Sequence, residues 1–238
     1  MQSKLAIKKA AIEFRELKGF GSCDSIDTHK LLKDNNVITV FRKLDPDFSG
    51  MALKADEMNF ILINASHSIG RQNFTILHEM YHLFIQTSFS SMLCNAGAFD
   101  KQQGIEYEAD WFAANALMPE QGILERIPAS ELKKNISLAT ILDIEQYFAC
   151  SRSALLIQLK EMNLITSEQF HEFKNKVKYN AKLYGYDTAL YNEGNDGMVI
   201  GDYGLKARTL FEREFISESN YASLMREIGI DVDSEESE

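Results

Sequence analysis

His78-Glu79-Met80-Tyr81-His82 combines residue types that hold a metal ion with one that moves protons. Histidines four positions apart emerge along one line of a helix, so both imidazoles reach the same point in space. A zinc ion held there would activate a water molecule, and the intervening Glu79 would stand beside that water as general base. The chain has only five histidines, and no other pair has this spacing.

Two histidines leave a zinc site incomplete. A hydrolytic zinc takes three protein ligands and keeps one position for water. The next strongly helical segment offers Glu106, Glu108 and Asp110. Glu106 and Asp110 are four apart and share one face, whereas Glu108 points elsewhere. Glu106 is the favoured third ligand and Glu108 its rival. With Glu106 on the metal, Asp110 can accept a hydrogen bond from the outer nitrogen of a ligand histidine and fix its tautomer. Two histidines and a carboxylate also suit iron or manganese. The glutamate between the histidines points to hydrolysis, hence Zn2+, with Mn2+ also compatible.

The elements that must position these groups can be read from the hydrophobic pattern. Residues 60–64, Phe60-Ile61-Leu62-Ile63-Asn64, form an apolar run that fits a buried strand. After a loop over 64–70, a helix runs from about 71–73 to 86 and carries the histidines. Residues 87–104 read as a loop. A second strong helix covers 105–117 and is stopped by Pro119. Upstream, 3–18 reads as a helix ended by Gly19 and Gly21, and 31–41 suggests a short strand. Asp45-Pro46-Asp47 and Ser49-Gly50 read as turns. Downstream, short helices are expected over 120–126, 130–134, 138–147, 152–162 and 166–178. Residues 190–191 and 198–200 could pair around 192–197, and a last helix spans 205–228.

The chain has 238 residues, 45% of them hydrophobic and 11% aromatic, enough for a sizeable core. Its net charge of -10 argues against a broad face for nucleic-acid backbones. Part of that charge sits in an acidic tail with Asp231, Asp233, Glu235, Glu236 and Glu238. No stretch approaches the roughly 20 apolar residues of a membrane span, and residues 1–15 lack the apolar centre of a signal peptide. Cys23, Cys94 and Cys150 are odd in number and far apart, which reads as free thiols in a reducing compartment, the cytoplasm.

Two stretches resemble signatures of the ImmA/IrrE metallopeptidase family. Residues 71–82, Arg71-Gln72-Asn73-Phe74-Thr75-Ile76-Leu77-His78-Glu79-Met80-Tyr81-His82, resemble its metal-binding helix. Residues 106–114, Glu106-Tyr107-Glu108-Ala109-Asp110-Trp111-Phe112-Ala113-Ala114, running on to Leu117-Met118-Pro119, resemble its second signature. The likeness is specific over about residues 40–120 and looser over 130–175. It implies an α+β fold with a zincin-like metallopeptidase core, a small sheet and an active-site helix, followed by additional helices. It implies His78, His82 and Glu106 as metal ligands and Glu79 as base. One position departs from the family, which often has a small residue before the second histidine where this chain has Tyr81. Either the facing element retreats there or the ring packs beside the site.

The expected organisation is a zincin-like core over 1–130, a helical subdomain with helix-turn-helix-like character over 131–178, and a C-terminal extension over 179–238. The resemblance implies cleavage of a regulatory protein, a helix-turn-helix repressor of a phage, mobile element or stress regulon. A substrate strand would pair with a sheet edge near the site, for which 60–64 is the candidate. The competing class is a regulatory protein that keeps the metal fold with little turnover. Direct nucleic-acid binding could run through 138–165, but Arg152 and Lys160 are few basic residues for that role. His171, Tyr179, Tyr184, Tyr186 and Tyr191 are unranked candidates for stabilising the oxyanion.

Overall fold

The computed structural model describes residues 2–232 except 56–57, 88, 90–91, 95, 101–103 and 133–135, and gives only the backbone of 92–94. Five strands form one mixed sheet, β1 (Val37–Arg42), β2 (Gly50–Ala55), β3 (Met58–Asn64), β4 (Met92–Cys94) and β5 (Val199–Ile200). Their order is β4-β2-β3-β1-β5. β1 and β3 run parallel, with Val40 opposite Leu62, and the other pairings are antiparallel. The architecture is α+β.

Helices cover and extend this sheet. Before β1 come α1 (Lys4–Leu17) and α2 (Thr28–Asp34). Ser3 caps α1 and Asp27 caps α2 by accepting backbone N–H bonds of the first turn. Asp27 explains why Leu31 and Leu32 sit in a helix, and the strand expected over 31–41 starts only at Val37. α3 (Ile69–Phe84) packs against β2 and β3 and is buried along most of its length. α4 (Ile105–Leu117) lies between α3 and α1. Its alanines, Ala109, Ala113, Ala114 and Ala116, are fully buried and let both helices come close.

The second half is helical, with α5 (Glu120–Arg126), α6 (Leu138–Phe148), α7 (Arg152–Glu161), α8 (Ser167–Phe173), α9 (Val177–Leu183), α10 (Tyr203–Glu212) and α11 (Glu218–Glu227). Residues 129–132 form turns rather than the helix expected over 130–134, of which 133–134 lie outside the described residues. The helix expected over 166–178 breaks in two where Lys176 takes a left-handed backbone conformation at φ 53°. The expected last helix breaks likewise, with Glu214 at φ 60° between α10 and α11. Among the described residues no helix is long and apolar enough to cross a membrane. The tail residues 233–238 and the Cys94 side chain fall outside the described parts, and Cys23 and Cys150 are free thiols.

Four expectations about the sheet need correcting. β3 is flanked by β1 and β2, so its backbone groups are already paired and residues 60–64 are no edge for a substrate. The turn expected at Ser49-Gly50 leads straight into β2, and β4 lies within the expected loop 87–104. Residues 190–191 and 198–200 form no hairpin. Ala189–Tyr191 is a 3-10 turn, and Val199–Ile200 joins the outer side of β1.

The segment leading to β5 works as a strap. Ile69 N donates to Asn192 O at 2.9 Å and Gln72 Nε2 to Gly194 O at 3.0 Å. Asn195 Nδ2 donates to Gln72 Oε1 at 3.0 Å, and Phe41 N donates to Met198 O at 3.0 Å. The first turn of α3 is thereby bound to a segment more than a hundred residues further along, 122 for Gln72 and Gly194.

Candidate metal centre

His78 and His82 project from α3 toward Glu106 in the first turn of α4. His78 Nε2 lies 3.1 Å from Glu106 Oε2 and His82 Nε2 lies 3.3 Å from Glu106 Oε1. The two Nε2 atoms are 3.2 Å apart. Both imidazoles are fully buried and Glu106 is nearly so. One ligand atom from each of the three lies within 4.8 Å of the others, so the trio could hold a metal ion.

The outer ring nitrogens show why this set fits a cation. His78 Nδ1 lies 2.9 Å from Asp110 Oδ1, and His82 Nδ1 lies 2.6 Å from Gln86 Oε1. Both partners accept, so both Nδ1 atoms carry hydrogen and both Nε2 atoms present lone pairs. Two such lone pairs and a carboxylate converging at 3.1–3.3 Å repel one another unless a cation sits among them. A proton on one imidazole meets that need, and so does a metal ion with the nitrogen and oxygen ligands zinc accepts. Burial works against the Glu106 charge, but with protonated imidazoles the hydrogen bonds and positive charge of His78 and His82 outweigh it and hold this carboxyl well below the usual range.

Asp110 does more than orient His78. Its Oδ1 also accepts Gly97 N and its Oδ2 accepts Phe99 N, both at 2.7 Å. One buried carboxylate thus ties the 96–99 loop to His78. Sequence spacing pointed to Asp110 in this role. Gln86 was missed, although its position four residues after His82 is the available signal.

Glu79 is fully buried on the side of α3 that faces β2. The chain passes it at Gly50, where a Cβ would stand 2.9 Å from Glu79 Oε1 and 2.7 Å from Thr75 Cγ2. Only a residue without a side chain lets the strand run this close to the carboxylate. Toward the start of the helix, Arg71 Nη2 donates to Ser49 Oγ at 3.0 Å, and Thr75 Oγ1 to Arg71 O at 3.0 Å.

Glu108, the rival ligand, points away from the trio. Its Oε2 accepts the Tyr81 hydroxyl at 2.8 Å, and its Oε1 accepts Gln2 N. The Tyr81 ring is buried edge-on to His82 and tilted against Phe112. Burial, then the Glu108 bond and charge, push the Tyr81 phenol far up, so it stays a donor. The large residue before His82 is therefore packed beside the site and fastened to α4.

The later candidates lie elsewhere. Tyr191 gives its hydroxyl to Glu145 at 2.7 Å, and Tyr179 on α9 and Tyr184 just after it are exposed. Arg152 is buried, with Nη2 on Glu145 and Nη1 on Phe173 O, and cannot reach a nucleic-acid phosphate. Leu155, Leu156 and Leu159 of α7 are core.

Residues 34–160 match the model of a family described as the IrrE N-terminal-like domain, peptidase group M78. The match includes all four motif residues. No curated protein matches the chain. Among solved structures, a Mycobacterium tuberculosis transcriptional regulator is similar at 15% identity and a TM-score of 0.44, over 65% of this chain. The similarity spans 46% of that regulator, less than half its length.

Proposed function

The chain belongs to the IrrE N-terminal-like family of M78 peptidases, and on that premise we propose that it is a zinc endopeptidase acting on a regulatory protein. His78, His82 and Glu106 would hold the metal. Bound zinc lowers the pKa of water and polarises the carbonyl under attack. Glu79 takes the proton from the attacking water and delivers it to the departing amide nitrogen. Asp110 and Gln86 keep both imidazoles in the tautomer that binds metal. Manganese suits the same donors.

The observation that carries this reading is the pair of inward-facing Nε2 lone pairs opposite a buried carboxylate, with Glu79 one residue after the first histidine. An extended substrate would pair with a free strand edge. With β3 central, the edge beside Gly50 is β4. The substrate class is a helix-turn-helix repressor, which rests on the family's association with such repressors.

The test is zinc content and cleavage of a repressor encoded beside this gene, with Glu79→Gln as control. Zinc retained with cleavage lost supports the reading. Equal regulatory effect from both proteins in cells would sink it in favour of a non-catalytic metal-binding regulator.

A further inference from the structure

A cavity of about 370 Å³ opens where the first turn of α3, the 96–99 loop and the first turn of α7 meet. Arg71, Phe74, Phe99, Ser153 and Ile157 are among its walls. Arg71, Phe74 and His78 follow one another at helical spacing, so the cavity lies on the ligand-bearing side of α3. Arg71 is about 10 Å along the helix from His78 at 1.5 Å per residue. The loop forming the opposite wall is the one Asp110 binds through Gly97 N and Phe99 N. It also follows β4, the edge an extended peptide would use.

Arg71 is the cavity's charged group. It is half-buried, and burial is the main influence lowering its pKa, with Asp47 acting in the opposite sense. Its side chain bonds the neutral Ser49 hydroxyl. Among the described residues no carboxylate lies within ion-pair distance of it. A guanidinium withdrawn from water without a carboxylate partner favours an anion, and its planar fork matches a carboxylate. The rest of the wall joins aromatic and aliphatic surface to the Ser68, Ser151 and Ser153 hydroxyls. The positive ends of α3 and α7 add to the same field.

We propose that this cavity is a substrate subsite that receives an acidic side chain, with Arg71 as its specificity-determining residue. This deepens the endopeptidase reading and rests on it. A single guanidinium matches the single charge of an Asp or Glu side chain better than a phosphate dianion.

The first arm of the test needs no turnover. Binding of N-acetylglutamate amide, N-acetylglutamine amide and inorganic phosphate to the zinc-loaded full chain is followed by ligand-observed NMR. The glutamate probe should bind about tenfold tighter than its amide. Arg71→Met should erase the difference and Arg71→Lys should keep part of it. Ser153→Asp places a carboxylate at the rim, in the first turn of α7 where a helix accepts one well, and should exclude the probe in a protein that still folds. Equal binding of the two amides, or phosphate binding tightest, overturns the proposal.

The second arm is a peptide library digested by wild type and Arg71→Met. Acidic residues enriched at one fixed position from the cut, and only in wild type, assign the subsite to the substrate. Cleavage without that enrichment overturns the proposal. Probe discrimination with no peptide cut leaves the cavity's selectivity intact and counts against the endopeptidase reading alone.

Discussion

Gly50 and Glu79 share a space that holds one side chain, not two. A methyl group on Gly50 would displace Thr75, the Glu79 carboxylate or the strand itself. Gly50→Ala should therefore lower kcat/KM by about 100-fold, the scale of a 1 Å misplacement of a reacting group. Zinc stoichiometry should not change, because the nearest atoms a Cβ at Gly50 meets belong to Thr75, Glu79 and Leu62 and to none of His78, His82 and Glu106. Metal analysis beside a cleavage assay checks both halves.

Asp110→Asn keeps an oxygen for one partner but turns an amide N–H toward a donor on the other side. The loss falls on His78 and on the loop at Gly97 and Phe99. Zinc affinity should fall by about 10- to 100-fold, the usual result of removing a group that orients a ligand histidine. Competition with a zinc-binding dye reads this directly.

The candidate metal centre was legible because helical spacing is rigid. His78, His82, Glu106 and Asp110 are placed by the 3.6-residue repeat once two helices face each other. The sheet was harder to read. Strand β2, Gly50-Met51-Ala52-Leu53-Lys54-Ala55, contains no β-branched or aromatic residue, and most of its side chains favour helices. It is a strand because β3 and β4 pair with it on both sides. Val199 and Ile200 are too short a run to announce a strand, and their partners Val40 and Thr39 are remote in sequence. The Glu108 side chain is settled by Tyr81, a cross-helix contact that spacing alone leaves open.

Tyr81→Phe removes the donor to a buried carboxylate without opening a cavity. The protein should lose about 1–3 kcal/mol of stability, the cost of taking one hydrogen bond from a buried carboxylate. Chemical denaturation measures it. Combining Tyr81→Phe with Glu108→Leu should cost less than the two changes added together.

Arg152 and Glu145 form a buried ion pair that also binds the Tyr191 hydroxyl. Arg152→Met alone should destabilise the fold by about 3–5 kcal/mol, because Glu145 stays buried without its cation. The double change with Glu145→Leu should recover much of that loss. Thermal melts of the three variants, with metal saturated throughout, make the comparison.

Chelation should lower the melting temperature, because a metal held by His78, His82 and Glu106 would bind only the folded state, in which two helices bring them together. Free zinc at about a thousand times its Kd adds about 4 kcal/mol to the folded state. His82→Ala should abolish the difference between chelated and zinc-loaded melts. A shift that survives in that variant would place the stabilising ion elsewhere.

The strap over residues 192–198 also has a consequence in time. The first turn of α3 draws backbone and side-chain partners from Asn192, Gly194 and Asn195, far along the chain from the histidines it precedes. A ribosome delivers His78, Glu79 and His82 early and this segment late. The emerging chain carries His78, His82 and Glu106 well before α3 acquires those anchors. Competence to cut should therefore wait until residues 192–198 have emerged, so that a chain not yet extended that far is shielded from its own chemistry by the order in which its parts are made.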